Sequence, residues 1–243
     1  MLEIDDVTVR FGGVVALDAV SIQFTQPISG IIGPNGAGKT TLMNVISGFA
    51  AATGTVRMKG QDLMNLAPHH RAKWGLRRSF QREEIADDLT VMENVMVQMD
   101  HSLGGGAAKR AQVSRMLDLV GIADKADTAC ITLNSYERRL TDVAKCLVGN
   151  PKLVMFDEPA GGMSIDETQH LGKLIKSIHF ETGAQVLVID HDVELITDVC
   201  IETLVLDFGK RIAFGPTAEV LSDPLVKAAT SYKKPANWSR TST

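Results

Sequence analysis

The segment from Gly33 to Thr41 constrains the fold of this chain more than any other stretch of the sequence. It reads Gly-Pro-Asn-Gly-Ala-Gly-Lys-Thr-Thr, follows the apolar run from Ile28 to Ile32 and fits the pattern G-x-x-x-x-G-K-[ST]. In such a unit of strand, loop and helix, glycines let successive backbone N–H groups turn inward around phosphate oxygens, and the start of the helix adds its positive end. The sequence therefore predicts an α/β fold built around a phosphate-binding loop.

The side chains and the backbone of this loop have distinct predicted roles. Lys39 is placed to neutralise the outer phosphates, and Thr40 offers a hydroxyl to Mg²⁺. The remaining phosphate contacts are expected from Asn35, Gly36, Ala37, Gly38 and Thr41. An ordinary glycine-rich turn is the alternative, but the strand before the loop and the helix after it stand where phosphate binding needs them.

Length and composition exclude several classes of protein. A chain of 243 residues buries one core with an inserted lobe, but not two full-sized nucleotide-binding domains. A formal charge of −4 without a long basic run argues against nucleic acid as a partner. The sequence has neither a secretory signal nor the roughly 18 consecutive apolar residues of a membrane-spanning helix, so we expect a cytoplasmic location. The three cysteines are expected to be reduced packing residues.

Two carboxylates follow a second apolar run, Leu153 to Phe156. A third such run, Val186 to Ile189, and the helix-like stretch between them predict a parallel sheet, in which ligands gather at the carboxyl ends of the strands. Asp157 is placed there to hold Mg²⁺, and Glu158 to polarise a water in line with a terminal phosphate. Alone, Asp-Glu-Pro is equally typical of a turn before a helix; the phosphate loop upstream favours the catalytic interpretation.

The phosphate loop, Gln81, the Asp157–Glu158 pair and His191 occur in an order and spacing that resemble the ATPase subunit of ABC transporters. The resemblance runs from Phe11 to about residue 229. It implies that ATP and Mg²⁺ bind, that Phe11 stacks on adenine, and that Gln81 reaches Mg²⁺ and senses a membrane subunit. It also implies that His191 contacts the terminal phosphate, although a lone histidine at a strand end is usually structural.

The same resemblance implies the domain organisation. We expect a P-loop NTPase (RecA-like) core over residues 1–82 and 149–230, with an N-terminal antiparallel β subdomain and a helical subdomain inserted over residues 83–148. These parts make a single domain, residues 1–230. A polar tail, residues 231–243, completes the chain.

Three segments, residues 70–81, 89–95 and 157–163, resemble the branch of the family that imports branched-chain amino acids and urea. This implies an ATPase at the cytoplasmic face of the membrane, powering uptake of branched-chain or other hydrophobic amino acids, or of urea and short amides. Its implied partners are membrane permeases with coupling helices, a second ATPase subunit and, indirectly, a periplasmic binding protein. The basic run from Arg71 to Arg82 would approach the coupling-helix groove, although such a run is usually a solvated face.

One segment departs from the family. The family signature, Leu-Ser-Gly-Gly-Gln, closes over ATP bound on the partner subunit, whereas this chain has Leu133, Asn134, Ser135, Tyr136 and Glu137 there. Side chains replace the glycines, and Glu137 adds a negative charge, so we expect weak closure through this segment. Asn134 and Glu137 are also spaced as a capping box that begins a helix.

The altered signature leaves the pairing and the activity open. We favour a heterodimer with a related ATPase whose intact signature completes the phosphate loop of this chain, and a homodimer is the alternative. A regulatory or docking module that hydrolyses little ATP is a second functional hypothesis. A phosphate-loop kinase or GTPase is weaker, since the Asn-Lys-x-Asp segment typical of base-selective GTPases is not found.

Overall fold

The computed structural model describes residues 1–99 and 104–231, so the predicted polar tail lies outside the described residues apart from its first residue. In chain order the strands are β1 (Leu2–Phe11), β2 (Val14–Phe24), β3 (Ile28–Ile32), β4 (Thr53–Met58), β5 (Gln61–Asp62), β6 (Leu76–Arg78), β7 (Leu153–Asp157), β8 (Gln185–Ile189), β9 (Glu202–Asp207) and β10 (Lys210–Pro216). The α-helices are α1 (Lys39–Ser47), α2 (Pro68–Trp74), α3 (Val91–Met96), α4 (Gly106–Val120), α5 (Ser135–Leu147), α6 (Ile165–Thr182), α7 (Val193–Val199), α8 (Thr217–Ser222) and α9 (Pro224–Ser231).

Within the described residues the strands form two sheets. The smaller sheet is antiparallel and has the order β2-β1-β4-β5. The larger has the order β10-β9-β3-β8-β7-β6, and all its pairs are parallel except β10 with β9. Because β3, β7 and β8 run in the same direction, their carboxyl ends meet at one edge of the sheet, where open parallel sheets bind ligands.

The central strands are covered on both faces. All five residues of β7 are buried, and so are all five of β3 and of β8. Along β7, Leu153 and Met155 pack with α1 and the antiparallel sheet, whereas Val154 and Phe156 pack with the helices on the opposite face. This two-sided burial explains the unalternating apolar runs and confirms the parallel sheet predicted from them.

Helices α3, α4 and α5 lie within the stretch predicted to be the helical subdomain, whose boundaries at residues 83 and 148 stay a prediction. Capping boxes begin two of them, Thr90 with Glu93 at α3 and Asn134 with Glu137 at α5. Each box satisfies N–H groups that the first turn of a helix leaves free. The expected cap at the start of α5 is thus present.

The basic run from Arg71 to Arg82 is only partly a solvated face. Lys73 and Arg82 are exposed, but Arg71 is buried and donates to the carbonyl oxygens of Val45 and Ile46, near the end of α1. Three arginines of this run thus face inward, since Arg77 and Arg78 are also largely covered by neighbouring residues. The interpretation as a solvated face is therefore wrong for this part of the run.

Candidate functional site

A cavity of about 710 Å³ opens at the carboxyl ends of β3, β7 and β8. Its lining includes most of the predicted phosphate loop together with side chains from other elements. The lining residues are Ala16, Ile32, Gly33, Pro34, Asn35, Gly36, Gly38, Lys39, Thr40, Thr41, Gln81, Glu158, Asp190, His191 and Val193. Segments far apart in sequence are thus brought around one space by the parallel sheet.

Two positions of the loop require glycine. Gly33 has a φ of +148°, and a Cβ added there would lie 2.1 Å from the carbonyl oxygen of Leu206. Gly38, the N-cap of α1, has a φ of +102°, and its added Cβ would lie 2.7 Å from the carbonyl oxygen of Ala16. The loop therefore packs closely against neighbouring backbone, in conformations that other residues rarely adopt.

Lys39 extends back over the loop. Its ammonium group donates to the carbonyl oxygens of Gly33 at 2.8 Å and Pro34 at 2.9 Å. Burial lowers the pKa of Lys39, while the charges of Glu158 and Asp157 oppose this shift. Lys39 is a buried cation at the start of a helix whose first turn has no acidic residue. Such a site suits a polyanion, so these residues fit a nucleoside triphosphate.

Ala37 differs from the rest of the loop. It is buried, and its N–H donates to the carbonyl oxygen of Pro34 at 3.1 Å, while its own carbonyl accepts from the N–H of Gly209. Both backbone groups are thus used to hold the loop itself. The role of Ala37 in binding phosphate stays a prediction.

Glu158 stands directly after β7 in an unusual backbone conformation. Its φ is +51°, which costs a non-glycine residue about 1–2 kcal/mol, and its N–H donates to the carbonyl oxygen of Ile189 at 2.8 Å. Its carboxylate accepts a hydrogen bond of 2.9 Å from Nε2 of Gln81. Strained residues of this kind concentrate at functional sites, and Glu158 lines the cavity.

Asp157 lies beneath the cavity and is not among its lining residues. Its Oδ2 accepts a hydrogen bond of 2.8 Å from Nη2 of Arg78, and both side chains are almost fully buried. Of the predicted magnesium ligands, Thr40 and Gln81 reach the cavity directly. Hydroxyl, amide and carboxylate oxygens are the donors that Mg²⁺ prefers, so this set fits the ion.

His191 lies at the rim of the cavity with a side chain that is 68% exposed. Its Nδ1 is 3.6 Å from Oδ1 of Asp190. The Asp190 side chain is buried, and its Oδ1 and Oδ2 accept hydrogen bonds from the N–H groups of Asp192 and Ala160, respectively. Burial raises the pKa of Asp190, and these hydrogen bonds oppose the shift. Asp190 is thus a site residue that was not predicted, although its place directly after a buried strand was a signal for it.

Phe11 is not among the residues that line the cavity. It ends β1, pairs with Val14 across the hairpin and is 56% exposed. Ala16, on β2, lines the cavity instead. The stacking of Phe11 on adenine therefore stays a prediction.

None of the five altered signature residues lines this cavity. The side chain of Glu137 is turned back on its own helix, where its Oε2 accepts from the N–H of Asn134 at 3.0 Å. Its Oε1 forms an ion pair of 3.3 Å with Lys125. The charge of Glu137 is thus partly neutralised, which weakens the repulsion expected from it; the side chains at Ser135 and Tyr136 remain in place of the family's glycines.

A second, smaller cavity of about 180 Å³ lies near the end of α1, and we call it the Phe49–Phe80 groove. Its lining combines aromatic and aliphatic side chains with charged ones. The lining residues are Ser47, Phe49, Pro68, Ala72, Leu76, Arg77, Arg78, Phe80, Glu84, Gln98, Asp142, Lys145 and Cys146. Phe80 stands next to Gln81, so the groove and the larger cavity are joined by adjacent residues.

A family model described as ABC transporter matches residues 17–161. The chain belongs to the ABC transporter family. The branched-chain amino acid transport ATP-binding protein BraF of Pseudomonas aeruginosa is 30% identical over 246 residues, which cover 94% of this chain and 96% of BraF. LivG of Escherichia coli K12, with the same description, is also 30% identical, over 92% of this chain and 94% of LivG.

Solved structures agree with this ABC transporter fold. The ADP conformation of MJ1267, an ATP-binding cassette of an ABC transporter, superposes with a TM-score of 0.84 at 26% identity, over 96% of this chain and 99% of that cassette. The cassette fold and the ATPase activity predicted from the sequence are confirmed. Over residues 1–99 and 104–231 of this ABC ATPase, no helix has both the length and the apolar character that crossing a membrane requires.

Proposed function

We propose that this ABC ATPase powers uptake of branched-chain or other hydrophobic amino acids through separate membrane subunits. The observation that carries the proposal is the meeting of the phosphate loop, Lys39 and the Gln81–Glu158 pair around one cavity. BraF and LivG, whose names specify high-affinity branched-chain amino acid transport, support this class of cargo.

In the proposed mechanism the loop binds and orients the outer phosphates of ATP. Lys39 supplies a positive charge, and the N–H groups at the start of α1 supply hydrogen bonds. Mg²⁺, when bound, neutralises charge on the phosphate oxygens. Thr40, Gln81 and Asp157 are the residues that would hold it, directly or through its water.

Glu158 is proposed to accept the proton of the attacking water. The hydrogen bond from Gln81 fixes one oxygen of its carboxylate and leaves the other for that water. His191, exposed at the rim, is proposed to contact the terminal phosphate. Asp190 favours an orientation of the imidazole in which Nδ1 faces its carboxylate, since Nδ1 of His191 lies 3.6 Å from Oδ1 of Asp190.

We further propose that the chain works in a heterodimer with a related ATPase. The side chains of Ser135 and Tyr136 occupy positions where the family signature has glycines that approach a phosphate closely. A partner with an intact signature would complete the phosphate loop of this chain and give one competent and one impaired site. The dimeric cassette MJ0796 is 22% identical, and its likeness concerns the fold alone.

The remaining proposed partners are membrane permeases and, through them, a periplasmic substrate-binding protein. The Phe49–Phe80 groove supports docking of a permease coupling helix, because apolar rings and charged groups meet there beside Gln81. The chain would then be a peripheral subunit at the cytoplasmic face of the membrane. The names of BraF and LivG do not support the alternative of urea or short-amide import. The altered signature motivates a regulatory module with little hydrolysis, but Glu158 and His191 beside the phosphate loop favour hydrolysis.

The cargo is tested by uptake in cells that lack this chain. Radiolabelled leucine uptake should fall in the deletion strain, return with the wild-type gene and stay low with Glu158→Gln. Glu219→Gln, at an exposed position of α8, is the matched control and should restore uptake fully. Unchanged leucine uptake in the deletion strain, with lost uptake of urea, would contradict the proposal.

A further inference from the structure

Arg78 connects β7 and α1, the two elements that flank the proposed magnesium site. It is the last residue of β6, which lies beside β7 in the sheet, and its Nη2 donates to Oδ2 of Asp157 at 2.8 Å. Its Nη1 donates to Oδ1 of Asn44 at 2.7 Å and to Oγ of Ser47 at 3.2 Å, both on α1. One buried guanidinium group therefore holds the end of β7 against the helix that follows the phosphate loop.

The arrangement suits a planar, forked cation. The two nitrogens of Arg78 bond to different elements, and its side chain is only 4% exposed while that of Asp157 is 7% exposed. Lysine has one ammonium group, so it cannot form the hydrogen bonds to Asp157 and to α1 in the same geometry. Among residues 1–99 and 104–231, Arg78 alone donates a hydrogen bond to the Asp157 carboxylate, and it does so to Oδ2. Oδ1 is therefore the oxygen available to another cation.

Arg78 also borders the Phe49–Phe80 groove. Its guanidinium lies 4.8 Å from the centre of the Phe80 ring, and the Phe80 and Phe49 rings are 6.1 Å apart. Ser47, which accepts from Arg78, lines the same groove. The side chain that holds Asp157 is thus packed directly behind the surface of the groove.

We propose that Arg78 is a positioning residue for magnesium: it fixes Asp157 against α1 so that Oδ1 is presented to the metal bound with the nucleotide. This inference rests on the proposed function, because it takes Asp157 as a magnesium ligand. Residues that orient a metal ligand typically change metal affinity 10-fold to 100-fold when they are replaced. Arg78 orients the proposed ligand in this way, because it connects the Asp157 carboxylate to β6 and to α1.

The test measures metal affinity rather than turnover. The purified full-length chain is saturated with a non-hydrolysable ATP analogue, and Mn²⁺ binding is followed by electron paramagnetic resonance. Arg78→Gln should raise the half-saturating Mn²⁺ concentration about tenfold. Binding of the analogue in EDTA should change less than about twofold, because the α1 residues that Arg78 contacts, Asn44 and Ser47, lie beyond the residues that bind phosphate. A general loosening of the fold would weaken binding of both the analogue and Mn²⁺.

Matched variants separate the contacts. Arg77→Gln removes the neighbouring arginine, which donates to the backbone carbonyls of Ala72, Leu76 and Gly149 and not to Asp157. This variant should leave Mn²⁺ affinity within about twofold. Asn44→Ala removes one α1 contact and should weaken Mn²⁺ binding about threefold. Arg78→Lys should give a similar intermediate loss.

The outcomes are distinguishable. Unchanged Mn²⁺ affinity in folded Arg78→Gln overturns the inference while leaving the proposed function intact. If Arg78→Gln fails to fold, unchanged affinity in both Asn44→Ala and Arg78→Lys overturns it instead. Failure of the wild-type chain to bind the nucleotide with Mn²⁺ would reject the proposed function itself.

Discussion

Nε2 of Gln81 lies 2.9 Å from Oε2 of Glu158 and donates a hydrogen bond to it. The bond spans 77 positions of the chain and joins the segment after β6 to the end of β7. Because Gln81 follows Phe80 of the groove, a displacement of this segment would move the donor that orients Glu158. The groove and the proposed general base are therefore connected by one side-chain contact.

The first prediction concerns this base. Glu158→Gln keeps an oxygen that accepts from Gln81, so the cavity should retain its shape and ATP affinity should stay within about twofold. Turnover should fall at least about 100-fold, because the amide cannot accept the proton of water. Calorimetric ATP binding and steady-state phosphate release measure the two effects. Retained hydrolysis would remove Glu158 as the base.

The second prediction concerns pairing. If a partner signature completes the phosphate loop of this chain, the chain alone should release phosphate at least about tenfold more slowly than an equimolar mixture with the related ATPase. Lys39→Ala in this chain should abolish the gain on mixing, since it removes the cation at the completed site. An equal rate for the chain alone and for the mixture would refute the heterodimer.

The third prediction concerns Asp142 in α5. Burial raises its pKa to about 6 against the opposing charges of Lys145 and Arg139, while Glu83 and Glu84 add to the shift. Among the described residues its Oδ2 has no hydrogen-bond partner. Since the folded state binds the proton more tightly than the unfolded state, the destabilisation is full above about pH 6 and is lost as the pH falls towards about 4.

Asp142→Asn should therefore stabilise the chain by about 3 kcal/mol near pH 8, from about 1.4 kcal/mol for each unit of pKa, since the raised pKa already includes the attraction of Lys145. The advantage should shrink below about 1 kcal/mol near pH 4. Urea unfolding at both pH values measures it, with Asp124→Asn at an exposed position as the control. An advantage that does not change with pH would contradict this account.

The fourth prediction concerns Glu202, a buried carboxylate at the start of β9. Its Oε1 accepts from the N–H groups of Thr25 and Gln26 and from Oγ of Ser29, within 2.8 to 3.0 Å. Glu202→Gln turns an amide N–H₂ group towards these donors or leaves them with a weaker acceptor. The free energy of unfolding should fall by about 2–4 kcal/mol. An unchanged urea midpoint would show that the turn before β3 does not depend on this carboxylate.

The parts of the site that are local in sequence were predictable. The phosphate loop, β3 and the helix after it are consecutive, and the Asp157–Glu158 pair follows its strand directly, so pattern alone predicts them. The capping box at Asn134 and Glu137 is local in the same sense.

The missed features join distant positions. Arg78 meets Asp157 across 79 positions only because β6 lies beside β7, and Glu202 meets Ser29 across 173. A single sequence gives no signal for such neighbours, since strand order is decided by the packing of the whole sheet. For the same reason the sequence gives no sign that Arg71, in a basic run of the kind that is usually a solvated face, turns inward to the end of α1.

The capping box of α5 bears on how this subunit can change over time. Asn134 and Glu137, two of the altered signature positions, satisfy N–H groups at the start of the helix, and Lys125 pairs with Glu137. The side chains at Ser135 and Tyr136 take no part in this cap, so glycines are not required there for the helix to begin. A subunit can therefore lose nucleotide closure through this segment and still fold correctly at the start of α5.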